Sequence, residues 1–401
     1  MGRSAWGVLV LVLGAWLTLA GNPGLARADG MSFRLIGGDA DVRATAQRAV
    51  LWQRGGTWEL HLQPVFARGQ GAAAWVVPFP VRPTVSAGNP DFLDQLEVAT
   101  SPVFLRVCAE GGGSSCFGCM DAAGVGDGEV LDGSSFVRVW ERGQVGGLDY
   151  AILSAQDGDD LVAWLDAEGF EVPAAAAELL ADLELEGTFF FAARLGATLD
   201  PSLPLAPVRF ELPGLDPPSY PLRLTAAAVP AGQSLDLTLW VIFPNNEGWV
   251  PDGREVRQPS RELADRAALD GALEELFAAA PDALVLLHSA TLDETGALEG
   301  QVCEWMLPCV GYAEVGLEAP AAWAPEMEYL RSPPYLVDRY QARLGAGGLE
   351  ADLRFRPLAE NEYLGRVTRV YTRFTCRQEG SAGAWVALLA AGVALRLRRR
   401  A

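Results

Sequence analysis

Between residues 31 and 155 the apolar residues come in short runs that alternate with polar ones and stop at glycine or proline, the pattern of strands. Arg48-Ala49-Val50-Leu51-Trp52 and Thr57-Trp58-Glu59-Leu60-His61-Leu62 flank Arg54-Gly55-Gly56, which predicts a hairpin. Alternation puts Trp58, Leu60 and Leu62 on one face and leaves Glu59 and His61 on the other. Residues 74–80 read as a buried strand broken by its prolines. Residues 136–140 and 150–153 predict a second antiparallel pair, joined across Gly143 to Gly147.

The period then changes. Asp157-Gly158-Asp159-Asp160 supplies an N-cap, Leu161, Trp164 and Leu165 form an apolar stripe, and Gly169 ends the helix. Pro173 opens a second helix over 174–182. Strands are expected at 188–195, 207–212, 222–227 and 235–243. Turn residues crowd Asn245-Asn246-Glu247-Gly248 through Asp252-Gly253, marking the boundary between an N-terminal lobe, 29–244, and a C-terminal lobe, 245–375. Beyond it a helix over 261–279 carries Leu269, Leu273, Leu276 and Phe277 on one face. A strand over 283–288, a helix over 334–344 and a strand over 367–374 follow. Runs of strands with a few packed helices predict an α+β fold, mainly antiparallel, in two lobes.

Both ends carry a different pattern. Arg3, an apolar run from Ala5 to Ala20 and Ala26-Arg27-Ala28 have the form of a secretory signal over residues 1–28. At the far end an apolar run from Ala384 to Leu395 is followed by Arg396, Arg398, Arg399 and Arg400. As a helix, residues 383–395 cover about 20 Å, short of the ~30 Å hydrocarbon core, and the basic cluster favours the cytoplasmic side. The segment 376–401 therefore reads as a sorting signal or membrane anchor, and the body as exported to the periplasm or cell surface and attached through its C-terminus.

Composition narrows the chemistry. The net charge is −20, which repels nucleic-acid phosphates, so no nucleic-acid partner is expected. All 31 basic residues are arginine. Without lysine, neither a Walker A loop nor a Schiff-base enzyme is possible. No cofactor is implied.

Six cysteines lie in an exported chain, where disulfides are the default: Cys108, Cys116, Cys119, Cys303 and Cys309 are the candidates, with Cys376 assigned to a disulfide or to the sorting signal. Cys116 and Cys119 have the C-x-x-C spacing of redox and metal sites, but Met120 replaces the histidine of a haem site and no second close pair completes a zinc site. Asp121, Asp127, Glu129 and Asp132 crowd a glycine-rich loop that offers hard oxygen ligands for calcium, in an order unlike an EF-hand. The two histidines, His61 and His288, stand in no nucleophile motif. Among the twelve tryptophans, Trp58, Trp75, Trp140 and Trp164 fit core positions. Trp249, Trp305 and Trp323 sit in irregular segments and could line a binding surface for a protein or carbohydrate.

Several landmarks occur in an order that resembles a bacterial family of exported proteins, domain of unknown function 2330. They are Trp75-Val76-Val77-Pro78-Phe79-Pro80, then Pro102, then Gly147-Leu148-Asp149-Tyr150-Ala151-Ile152-Leu153 with Leu161-Val162-Ala163-Trp164-Leu165 and Gly169-Phe170. Tyr220-Pro221-Leu222-Arg223-Leu224 and Tyr335-Leu336-Val337-Asp338-Arg339-Tyr340 continue the series, and the likeness covers roughly residues 30–355. Many members of that family have a cysteine just after the signal, where this chain has Asp29-Gly30-Met31-Ser32-Phe33. The resemblance implies no catalytic residues, and no disulfide pairing is carried over. The tail is similar to myxobacterial-type C-terminal sorting signals, with Cys376 ahead of the apolar run and Arg398, Arg399 and Arg400 closing it. The expectation is an exported, envelope-attached, non-enzymatic binding or structural module. The alternatives are an extracytoplasmic hydrolase using carboxylates and a thiol–disulfide protein using Cys116 and Cys119.

Overall fold

The computed structural model describes residues 31–34, 36, 44–66, 72–108, 137–155, 159–196, 205–229, 232–244, 248–260, 263, 265–291, 301–302, 310–315, 322–331, 335–359 and 370–374. The chain begins with β1 (Met31–Arg34), β2 (Ala44–Arg54), β3 (Thr57–Phe66), β4 (Ala73–Phe79) and β5 (Thr84–Ala87). Then come α1 (Pro90–Ala99), β6 (Val103–Cys108), β7 (Arg138–Val145), β8 (Leu148–Ser154), α2 (Asp160–Ala167) and α3 (Ala174–Leu185). The middle holds β9 (Phe189–Leu195), β10 (Val208–Leu212), β11 (Ser219–Tyr220), α4 (Arg223–Ala226), β12 (Leu235–Pro244), β13 (Trp249–Pro251) and β14 (Val256–Arg257). Last are α5 (Arg266–Ala279), β15 (Leu284–Thr291), β16 (Gln301–Val302), β17 (Val310–Val315), α6 (Pro325–Arg331), β18 (Tyr335–Leu344), β19 (Leu353–Pro357) and β20 (Val370–Phe374).

These strands form an eight-stranded sheet, β14-β15-β18-β12-β2-β3-β10-β5, and a five-stranded sheet, β1-β4-β9-β8-β7. Two smaller sheets, β11-β19-β13 and β16-β17-β6-β20, complete the set. Pairing is mainly antiparallel, with parallel neighbours at β12–β2, β14–β15 and β20–β6. The fold is α+β. Strands from both sides of the turn-rich 245–253 segment share the eight-stranded sheet.

The two large sheets pack face to face. Leu51, Leu60, Phe210, Val241 and Leu286 of the larger sheet meet Trp75, Val77, Ile152 and Phe191 of the smaller one in a single core. Helices cover the outer faces. Leu161, Leu165, Leu180 and Leu183 of α2 and α3 pack on Val76, Leu153 and Phe190 of the five-stranded sheet. Phe92, Leu93 and Leu96 of α1, with Met327 and Leu330 of α6, pack on Val50, Trp52, Trp240 and Val337 of the eight-stranded one. Farther along that face, Leu269 and Leu273 of α5 cover Val285 and Leu287. Each buried Leu or Phe in these layers contributes roughly 2–3 kcal/mol by leaving water.

Local chemistry accounts for the connections. Gly55 and Gly56 have φ of 59° and 83°, the left-handed pair of a tight hairpin turn between β2 and β3. Gly146 and Gly147, at 56° and 82°, do the same for β7 and β8, so the turn falls at the end of the expected Gly143–Gly147 span. Helix α2 has no capping side chain of its own. The buried Glu184 of α3 accepts a hydrogen bond from the Leu161 backbone N–H at 3.0 Å and does that work from outside.

Three expectations change. Residues 335–344 are the strand β18, not a helix, paired to β12 along its whole length. Leu336, Tyr340 and Leu344 are four apart, a spacing that keeps them on one face in either structure, and the neighbouring strands decide between them. Residues 223–226 form one helical turn instead of a strand, because Asp352 accepts from the Leu222 and Arg223 N–H groups at 2.7 and 3.0 Å. Helix α1 interrupts a stretch read as strands throughout. Asn89 caps it, accepting from the Asp91 N–H at 3.0 Å, and Pro90 opens it.

Candidate ligand-binding site

One row of residues crosses the helix-covered face of the eight-stranded sheet from strand to strand. Cross-strand pairing links Arg209 to His61, His61 to Val50, Val50 to Trp240, Trp240 to Arg339 and Arg339 to His288. The next row runs Glu211, Glu59, Trp52, Ile242, Val337. Period-2 alternation puts both rows under the helices. Polar side chains therefore sit on a buried face, and each needs a partner.

Helix α1 supplies partners for the middle of the face. Buried Arg339 donates to the Glu97 carboxylate and to the Thr100 carbonyl, and the Trp240 indole donates to Thr100 Oγ1 at 2.9 Å. Arg48 donates to Asp94 at 2.6 Å and to Gln63 at 3.1 Å. Gln95 ties α1 to the segment leading into α6, donating to the Ala322 carbonyl at 3.0 Å and accepting from the Ala324 N–H at 2.6 Å.

At the β3–β10 end the charges reach the surface. Arg209 grips Glu59 with two bonds, Nε to Oε2 at 2.9 Å and Nη2 to Oε1 at 2.8 Å, and Nη2 also donates to Glu211. His61 Nε2 lies 3.4 Å from Glu59 Oε2. Burial alone would raise the Glu59 carboxyl, but hydrogen bonds from His61 and Arg209 and the charge of Arg209 outweigh it and hold the group below its ordinary value. Burial likewise pulls Arg209 down, and Glu59, with the charges of Glu211 and Glu326, carries it above its usual range. Across the gap, Asn89 of the α1 cap donates to Glu326 of α6 at 3.0 Å.

One turn along α6 from Glu326 stands Tyr329, 37% exposed. The Arg54 guanidinium sits 4.3 Å from the Tyr329 ring centre and 4.9 Å from that of Trp52. Trp52 also meets Phe92 at 5.7 Å and Tyr335 edge-on at 6.0 Å. Burial and the bond to Tyr329 push the Tyr335 hydroxyl up to about 12. Arg54 with Tyr329, and Arg209 with Glu211 near Glu326, thus form a strip of two sets of planar groups joined along α6, where Glu326 and Tyr329 stand one turn apart.

The expected site residues distribute differently. His61 and His288 are each 1% exposed and stand near opposite ends of one row, so the structure does not bring them together. Trp249 packs edge-on against Trp58 at 5.5 Å, and Trp323 packs on the cluster beneath α1 and α6. Trp58 and Trp75 are core residues, while Trp140 and Trp164 are half-buried against the core. Cys108 is the last residue of β6, with its backbone opposite Gly311 of β17. Cys116, Cys119, Cys303, Cys309, Cys376, Trp305, the calcium-loop carboxylates Asp121, Asp127, Glu129 and Asp132, and Arg398, Arg399 and Arg400 lie outside the described residues. So do the leader and the apolar run 384–395. Among the described residues no helix is long and apolar enough to cross a membrane, and no His, Cys, Asp and Glu side chains cluster to hold a metal.

Sequence reasoning placed Glu59 on the polar face of its hairpin but missed Arg209, Arg54 and Tyr329. Arg209-Phe210-Glu211 does alternate charge with an aromatic, which marks a polar strand face. It also missed Asp338, a wholly buried carboxyl on the opposite, sheet-to-sheet face, where Tyr340 donates to it at 3.2 Å and Ser289 is its cross-strand neighbour.

A sheet sandwich closed by helices on both outer faces, with an arginine–carboxylate strip at one rim, is the class of protein these elements define. The chain belongs to the family described as uncharacterized protein conserved in bacteria (DUF2330), whose model matches residues 26–288. That span includes Arg54, Glu59, His61 and Arg209, while α6 lies beyond it. No curated protein and no solved structure matches the chain.

Proposed function

We propose that the protein is an exported, envelope-attached binding module, without enzymatic activity, that engages its ligand along the Arg54–Tyr329–Glu326–Arg209 strip. The observation that carries this reading is the strip itself: Arg209, Glu59 and Glu211 hold one another, Asn89 holds Glu326, and Arg54 lies over Tyr329, whose ring remains exposed. Groups already fixed in place lose little freedom on binding. Both histidines, by contrast, lie sealed beneath helices, which suits support better than proton transfer to a substrate. Export and attachment rest on the secretory-type leader and the short apolar, arginine-ended tail, with the acidic body outside.

Co-sedimentation with delipidated cell envelopes, in which the apolar tail has no bilayer to enter, tests the proposal. The protein pellets with envelopes, and Arg54→Ala or Tyr329→Ala weakens that association about tenfold, the loss of roughly one good contact. Association unchanged in both variants contradicts the reading.

A further inference from the structure

Resting on that reading of the strip, we infer that its ligand is a neutral, polyhydroxylated molecule, a saccharide of the cell envelope, recognised without net charge. The signs of the groups point there first. Arg209, the cation best placed to meet an anion, already faces the carboxylates of Glu59, Glu211 and Glu326, and Arg54 is spread over the Trp52 and Tyr329 rings. A phosphate or carboxylate ligand would be repelled by those acids, and a cation by Arg54 and Arg209. Hydroxyl groups, each a donor and an acceptor, suit a mixed row of donors and acceptors.

Valences remain on the strip. The fork to Glu59 uses Nε and Nη2 of Arg209, and Glu211 also takes Nη2, so Nη1 has no acceptor among the described residues. The Glu211 side chain is 44% exposed, with one oxygen engaged. These open positions on partly exposed side chains are where the hydroxyls of a ligand can bond.

Tyr329 supplies the apolar half of the recognition. The C–H face of a sugar ring carries slight positive charge and packs on the negative face of an aromatic ring, while its rim hydroxyls reach flanking planar groups. Arg54 fixes Tyr329 from one side, and Glu326 follows one turn away on the same helix. A peptide ligand that adds a strand would use main-chain hydrogen bonds along a sheet edge, and these residues offer side chains only.

The test uses intrinsic tryptophan fluorescence, with Trp52 as the nearby reporter, and neutral oligosaccharides as probes: a maltohexaose, a cellohexaose and a chitohexaose. At least one probe is expected to give a saturable change that is insensitive to salt. Tyr329→Ala and Arg209→Lys should each weaken it about tenfold, since lysine cannot form the arginine fork. Leu185→Ala, at an exposed position on α3, is the control for a remote surface change. Near-ultraviolet circular dichroism checks that each variant is folded, and Tyr329→Ala keeps the test available should Arg209→Lys fail to fold. If no neutral probe binds while envelope association persists and still depends on Tyr329, the saccharide assignment is overturned and the binding strip stands. Competition of that association by an acidic or basic peptide, with marked salt dependence, overturns it in favour of a protein partner. Envelope association that ignores Tyr329 and Arg54 overturns the strip itself.

Discussion

Arg209 and Glu59 meet across two neighbouring strands through a pair of parallel hydrogen bonds of 2.8 and 2.9 Å, with the carboxylate 6% and the guanidinium 26% exposed. The carboxylate has left water and the guanidinium has not quite done so. Removing only the cation strands a buried anion, whereas removing both leaves nothing to solvate. Arg209→Leu should therefore cost about 2–3 kcal/mol at pH 7, less than the roughly 3–5 kcal/mol of a fully buried pair because Arg209 is partly wet. The double variant Glu59→Leu/Arg209→Leu should recover much of that loss. Urea unfolding of the four members of the cycle checks it. Additive costs would show that the pair is not coupled.

A second buried carboxyl behaves in the opposite sense. Burial between the two sheets pushes Asp338 up to about 7, and hydrogen bonds from Ser289 and Tyr340 offset only part of the shift. Its ordinary value is 3.8, so between pH 4 and 7 the folded state holds a proton that the unfolded chain has released. Stability from this group is full below pH 4, falls as pH rises towards 7, and is flat above. Asp338→Asn removes the dependence. Its gain over the native protein should be near zero at pH 4 and grow to roughly 2–4 kcal/mol by pH 8. Thermal midpoints of both proteins across that range give the answer, and a pH-independent difference would contradict the assignment.

Helix α1 is fastened to the sheet by its buried Phe92, Leu93 and Leu96 and by polar bonds at Arg339, Trp240 and Arg48. Burial pulls Arg339 below its usual range, and Glu97 restores part of the loss. Arg339→Ala opens a cavity under α1 and leaves Glu97 without its cation. The expected cost is about 3–5 kcal/mol. Faster hydrogen exchange should appear first in α1 and in the segment from Ala322 into α6, which Gln95 ties to it. Exchange accelerated equally everywhere would argue that α1 has no separate attachment.

The proposed export has its own observable. The intact mass of protein taken from its native envelope should begin at Asp29 and end near Cys376 if the tail acts as a sorting signal. A mass that includes Arg400 makes the tail a retained anchor. Thiol alkylation of the same sample counts which of the six cysteines are closed in disulfides.

The two glycine-marked hairpins, the strands flanking them and the stripes of α2 and α5 were legible because each signal is local. Residues 335–344 were ambiguous, since a spacing of four fits both periods and only β12 and β15 resolve it. Helix α1 had its signal, Asn89-Pro90-Asp91 ahead of Phe92, Leu93 and Leu96, overshadowed by strands on either side. The site was not legible for a different reason. Arg209 lies 150 residues from Glu59, and Arg54 meets Tyr329 from the other end of the chain. Only the pairing order β2-β3-β10 and the seating of α6 bring those groups together.

Oxidative footprinting of the protein on its native envelope, with Tyr329 as the reporter, tests the binding strip most directly. The account predicts that Tyr329 oxidises several-fold more slowly on the envelope than in the detached protein, while exposed Leu185 on α3 keeps its rate. Tyr329 reacting equally fast in both states, with protection falling elsewhere on the surface, would contradict it.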